Sequence, residues 1–240
     1  MNIYNAMNLP TAARIDRVVA KRQFYDNGDL SAADKKVFDH VEKIYWRYAL
    51  KTENTFLQPF ADEERDYSEI EVMEVILRDV RQLNRLAEII MRAIPYAMLL
   101  FFRHGEQVQL WMGKLRKNMA DSGRMTLTAV EQTAWMAEED DSWKALSLGK
   151  APTSNFYALY EAWFDVVSKW KLACAGVAAE SLSGDEARAI CERLGDIEKE
   201  IGRLRSRMKR QFNRKLELNT RLQALKRERM KIMEQRSDES

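Results

Sequence analysis

The chain is poor in the residues that most simple site chemistries need. Two histidines and two cysteines in 240 residues leave too few soft ligands for a zinc finger or ribbon. Nine glycines and four prolines exclude collagen-like or linker-dominated designs. The longest nearly apolar run, Ile94–Phe102, is nine residues, against the ~20 that a membrane helix requires. The N-terminus shows no basic-then-apolar leader. A soluble cytoplasmic protein without membrane contact is expected. No Gly-x-Gly-x-x-Gly occurs, and Gly149-Lys150 lacks the glycine that opens a phosphate-binding loop. His40 and His104 have no nucleophile near them in sequence, so a histidine base is poorly supported. The residues single out no catalytic group, no metal site and no cofactor.

What is present is an uneven distribution of charge. Residues 203–236 hold thirteen Lys/Arg and three Glu, a net +10, while residues 1–202 carry −6 and the last four −2. The near-neutral total therefore hides an acidic body and a strongly basic C-terminal segment.

Hydrophobic periodicity divides the chain. The first sixty residues read as mostly helical, with Ser31 and Asp34 as a helix-start box. Val37, Phe38, Val41, Ile44, Tyr45, Tyr48 and Ala49 fit an amphipathic helix to about Lys51. From Ser68 the period becomes two: Ile70, Val72 and Ile76 alternate with Met73, Val75 and Leu77, as in a strand buried on both faces. A helix from Leu83 to Ala93 ends before Pro95. Tyr96–Arg103 and Gln107–Gly113 form two strands joined by a turn at His104-Gly105, and a short strand follows near Val130–Met136. The order predicts an α/β (α+β) body over residues 1–150 with a small mixed sheet.

After Pro152 the pattern is helical to the end. Phe156, Tyr160, Trp163, Val167 and Trp170 repeat at heptad spacing over 151–182, a packed aromatic seam rather than a cofactor box. Cys174 lies on that seam as a small apolar residue. Ser183 and Glu186 make a capping box, and a heptad seam then runs from Ala187 to Ile232. Residues 183–240 thus read as one basic coiled-coil helix, antiparallel to the aromatic helix at first and overhanging it from about Lys209. The polar layers at Gln211 and Lys215 interrupt the seam there. A second copy of the chain would satisfy Leu218, Leu222, Leu225 and Ile232, the expected self-association surface.

The basic arm carries the leading functional expectation. Arg205, Lys209, Arg210, Arg214, Lys215, Arg221, Lys226, Arg227 and Arg229 would project around one helix and bind nucleic-acid phosphates or another acidic partner. Within 203–236, only Glu217, Glu228 and Glu234 stand to balance them. A metal-dependent nuclease is a second reading, through Glu71 or Glu74 with Asp79. It needs acids converging from separate elements, yet Glu71 and Glu74, at odd separation on a strand, face opposite sides. The run Glu138-Glu139-Asp140-Asp141 reads as an acidic loop that could dock a basic surface. A structural coiled-coil dimer is the third reading.

Several blocks resemble a known family. Ile3-Tyr4-Asn5-Ala6 with Asn8-Leu9-Pro10, Lys21-x-x-Phe24-Tyr25, Leu30-Ser31-Ala32-Ala33-Asp34-Lys35, Ile94-Pro95-Tyr96 leading into Leu99-Leu100-Phe101-Phe102, and Ser154-Asn155-Phe156-Tyr157 occur in its order. Together, over about residues 1–180, they resemble an uncharacterised bacterial family described as a domain of unknown function. Members are often encoded beside helicases and DNA methyltransferases in antiphage defence clusters. The resemblance implies a non-enzymatic adaptor subunit of a restriction-like complex, with a helicase or methyltransferase as partner, and brings no catalytic residues with it.

Overall fold

A computed structural model of the chain describes residues 2–27, 30–118, 121–210 and 215–234. It divides into two units, Met1–Phe164 and Asp165–Ser240.

The first unit opens with α1 (Ile3–Ala6), β1 (Arg14–Val18), α2 (Lys21–Asn27) and α3 (Ala32–Val37). Ser31 and Asp34 form the expected reciprocal box at the start of α3, Asp34 accepting from the Ser31 backbone at 3.1 Å. The helix stops at Val37, however, and Val41–Leu50 is a ten-residue strand, β2. The expected helix to Lys51 is thus corrected. Val41, Ile44, Tyr45, Trp46 and Tyr48 are β-branched or aromatic and fit a pleated surface better than a helix. Register irregularities in β2 between Val41 and Lys43 and between Trp46 and Tyr48 break the strict alternation, so its apolar residues imitate a helical period.

A short helix α4 (Thr52–Thr55) and the two-residue strands β3 (Phe60–Ala61) and β4 (Asp66–Tyr67) lead into β5 (Ile70–Leu77). Helix α5 (Leu83–Ala93) then carries the chain to β6 (Ala97–His104), parallel to β5. β7 (Gln107–Asn118), β8 (Asp121–Gln132) and β9 (Met136–Ala137) complete a sheet of seven strands. Its order is β1-β2-β5-β6-β7-β8, with β9 also on β7, and β5–β6 is the parallel pair. The β6–β7 hairpin turns through Gly105, at φ +59°, where a side chain would meet steric cost. The strand expected near Val130–Met136 is β8, which begins earlier, at Asp121, and ends at Gln132, with Met136 in β9; β-branched Thr126 pairs with Arg116 in the extended ladder against β7.

One face of the sheet buries Ile44, Met73, Val75, Leu100 and Phe102 against α2, α3 and α5. On the other, Phe101 meets Tyr4 of α1 and Trp143 edge-on. Helix α6 (Phe156–Cys174) contributes Phe156, Tyr160 and Trp163 to the core, as its aromatic seam predicts. The Tyr160 hydroxyl accepts from the Gly113 N–H at 3.1 Å and lies 2.9 Å from the Met98 carbonyl.

In the second unit the Ser183–Glu186 box caps α7 (Gly184–Arg210). Asp165 meets Arg188, and Ser168 meets Cys191. These pairs advance in the same direction, so the start of α7 runs parallel to the last turns of α6, and the expected antiparallel pairing is corrected. The connection between them buries Val177, Ala179 and Leu182 and is part of the core, not a bare turn.

The antiparallel neighbour of α7 is α8 (Lys215–Glu234). Arg193 pairs with Glu228 at 2.6 Å and Glu200 with Arg221 at 2.9 Å, positions that advance in opposite directions. Leu222 is buried with Ile197 and Ile201, and Leu225 and Ile232 pack on them. The single overhanging helix is therefore corrected to a folded-back pair. The apolar residues of α8 lose contact with water against their own chain, which needs no second molecule. Residues 211–214 lie outside the described residues; among the described residues no helix is long and apolar enough to cross a membrane.

Candidate functional site

Strand β5 decides where the acidic candidates go, because successive side chains on it point to opposite faces. Glu71 turns toward Trp46, whose indole N–H donates to its carboxylate. Burial, opposed by the Trp46 hydrogen bond, pushes the Glu71 carboxyl up to about 7. Its neighbour Glu69 is held by the Lys51 ammonium at 2.9 Å.

Glu74 lies on the other face, only 1% exposed. Arg47 Nε donates to its Oε2 at 2.6 Å and Arg103 Nε to its Oε1 at 2.6 Å. Each arginine continues to a further acid, Arg47 to Asp16 at 2.9 Å and Arg103 to both oxygens of Glu138 at 2.7 and 2.9 Å. Five charged groups thus form one chain of ion pairs through the sheet. Asp79 sits beyond the end of β5, where Arg81 and His40 hold its carboxyl well below the usual range; the His40 Nδ1 contact is 2.8 Å. Glu71, Glu74 and Asp79 are consequently separated and individually partnered. Among the described residues no group of three potential metal ligands gathers.

The acidic run from Glu138 is also put to local use. Glu138 answers Arg103, Asp140 caps the turn at Ser142 at 2.8 Å, and Asp141 pairs with Lys144 at 2.5 Å.

Cations of the second unit fall into two groups. Along the α7–α8 pair three are answered across the interface: Arg221 by Glu200, Arg229 by Glu198 at 3.7 Å, and Arg193 by Glu228. The acids Glu198 and Glu200 precede the basic window 203–236 in sequence. Their opposition to α8 requires the fold-back, which no local pattern announces.

The end of the pair is different. Residues 203–215 contain seven Lys/Arg and no acid. Arg203, Arg205 and Arg207 are exposed on the last turns of α7, and no described acid pairs with them. Arg203 and Arg207 are not singled out by sequence reasoning, although the acid-free run is visible there. Lys209, Arg210 and Lys215 close α7 and open α8, but their side chains, and Arg214 altogether, lie outside the described residues. Lys226 and Arg227 are exposed on α8 without a described acidic partner. Of the expected self-association residues, Leu222 is buried and Leu218, Leu225 and Ile232 are half-buried within the chain.

This arrangement suits an extended polyanion better than a small substrate. Arg203 and Arg207, four residues apart, share one face of α7, with Arg205 on the other side, and such guanidiniums can donate to phosphate oxygens.

No curated protein and no solved structure matches the chain. One family model does, and it reaches beyond the blocks that carried the resemblance, through α7 and into α8. The chain belongs to the DUF4391 family, a domain of unknown function, matched over residues 7–228.

Proposed function

We propose that this protein is a non-enzymatic accessory subunit of a bacterial antiphage defence complex. In this reading it joins a helicase or DNA methyltransferase partner, and the basic end of the α7–α8 pair contacts DNA phosphates. The partner class and the defence setting come from the family resemblance. The DNA contact rests on one observation, the acid-free stretch 203–215, in which Arg203, Arg205 and Arg207 are exposed on the last turns of α7 with no described acidic partner.

Phosphate binding of this kind has a measurable signature. Each phosphate contact contributes roughly −0.9 to the slope of log affinity against log salt. Duplex binding, followed by fluorescence anisotropy between low and moderate salt, is expected to show a slope of about −3 or steeper. Replacing Arg203, Arg205 and Arg207 by Gln is expected to flatten that slope by about 2–3 and to weaken binding about a hundredfold at 0.1 M salt. The thermal midpoint should hardly move, because all three side chains are exposed. Binding insensitive to salt, or unchanged in the triple variant, would reject the phosphate contact.

A further inference from the structure

The contacts between α7 and α8 have a register that a second copy of the chain can reproduce. Arg193–Glu228 and Glu200–Arg221 are both centred on one point of the chain, between Arg210 and Gln211. Arg229–Glu198, at a looser 3.7 Å, is centred within one turn of it. Contacts that share one centre have the symmetry of an antiparallel dimer. A second chain, related to the first by a twofold axis at that point, offers α7 the same α8 residues that it meets at home. Leu222 would again be buried with Ile197 and Ile201, and Leu225 and Ile232 would pack on them, each contact now joining two chains.

The sequence suits that arrangement as well as the folded-back one. No Gly or Pro follows Gly202, so the residues that most often stop a helix are missing where α7 gives way to α8. The two seam positions also keep their seven-residue step from Ala187 and Ile190 through Leu222 and Ile232 without a change of phase. A chain that folds back on itself is free to change phase at the turn. A seam shared by two long antiparallel chains needs one phase throughout.

Exchange has an electrostatic consequence. Residues 203–215, which flank the centre, hold seven Lys/Arg and no acid. In a dimer the stretches of both copies lie side by side, and their repulsion opposes exchange until an anion neutralises it. We infer that two copies of this chain exchange α8, and that a nucleic-acid backbone promotes the exchange by bridging the two basic stretches. The exchange stands apart from the phosphate contact proposed above; its promotion by nucleic acid rests on that contact.

The test uses the full chain with its own thiols removed (Cys174→Ser, Cys191→Ala). Arg193→Cys is placed in one tagged population and Glu228→Cys in another, and the two are mixed to equilibrium and treated with a short bismaleimide. Thr128→Cys, exposed in the first unit, replaces Glu228→Cys as the control. An inter-chain adduct specific to positions 193 and 228 is expected. It should grow with protein concentration and rise about fivefold when a short DNA duplex is added at low salt. A chain carrying both cysteines should cross-link within itself when dilute. Changing Arg203, Arg205 and Arg207 to Gln should raise the adduct formed without duplex, since it lowers the repulsion. Adducts confined to single chains at every concentration, with and without duplex, would overturn the exchange. So would an inter-chain adduct no more abundant than the control. An adduct that grows with concentration but ignores duplex would overturn the coupling to nucleic acid and leave the exchange standing. Salt-dependent duplex binding by a chain that never exchanges would do the reverse, keeping the phosphate contact and rejecting the dimer.

Discussion

Glu74→Ala is expected to destabilise the protein by up to about 3 kcal/mol in denaturant unfolding, because it leaves two half-buried guanidiniums facing one another with no anion between them. The carboxylate is 1% exposed and takes a hydrogen bond from each of Arg47 and Arg103. Nothing near it can replace the lost charge: Asp16 and Glu138 already occupy the far sides of the two arginines. The contrast is with exposed pairs such as Lys199–Asp196, where both side chains are more than 70% exposed and removal should cost well under about 1 kcal/mol. Replacing Glu74, Arg47 and Arg103 together by Met should recover part of the loss, since the acids left behind, Asp16 and Glu138, are half-buried and can meet water. A Glu74→Ala cost below about 1 kcal/mol would mean that the network is solvated and that water reaches this face of the sheet.

Glu71 should make stability depend on pH in the opposite sense to an ordinary ion-paired carboxylate. Burial raises its folded-state value to about 7 from 4.5, so the folded protein holds a proton that the unfolded chain releases. The contribution is fully present below the unfolded value and disappears as pH rises through about 7. Each tenfold difference in proton affinity between the two states corresponds to about 1.4 kcal/mol. The wild type should therefore lose up to about 3 kcal/mol from this group between mildly acidic and mildly alkaline solution. Glu71→Gln keeps an acceptor for the Trp46 indole and removes the titration. Its stability curve should be flatter over that window and should lie above the wild type at alkaline pH. Identical pH profiles for the two proteins would place Glu71 in contact with solvent.

How much of this is legible in the sequence depends on the range of the interaction. The boxes at Ser31–Asp34 and Ser183–Glu186 are readable because the bonded groups are three residues apart. Strand β5 and the β6–β7 hairpin are readable from period and turn residues. The opposite orientation of Glu71 and Glu74 follows from strand geometry alone. Strand β2 passes for a helix because its register irregularities break the strict alternation and leave apolar residues at spacings that suit either. Only pairing with β1 and β5 separates the two.

The second unit shows a different limit. A heptad seam says that a helix needs an apolar partner, but not whether that partner belongs to the same chain. Gln211 and Lys215 fit polar layers of one long helix by spacing; instead, α7 ends and α8 begins around those positions. Once α8 turns back, Arg229 meets Glu198 and Arg221 meets Glu200, while Arg203, Arg205, Arg207, Lys226 and Arg227 have no described acidic partner.

The most direct test of the adaptor reading is recovery of the native protein from its host at low and moderate salt, with and without nuclease, followed by identification of what accompanies it. A helicase or methyltransferase retained in stoichiometric amount after nuclease treatment is the predicted result. Recovery of nucleic acid alone, with every protein lost on nuclease treatment, would contradict the adaptor role and leave the basic end of α7 and α8 as the element on which function rests.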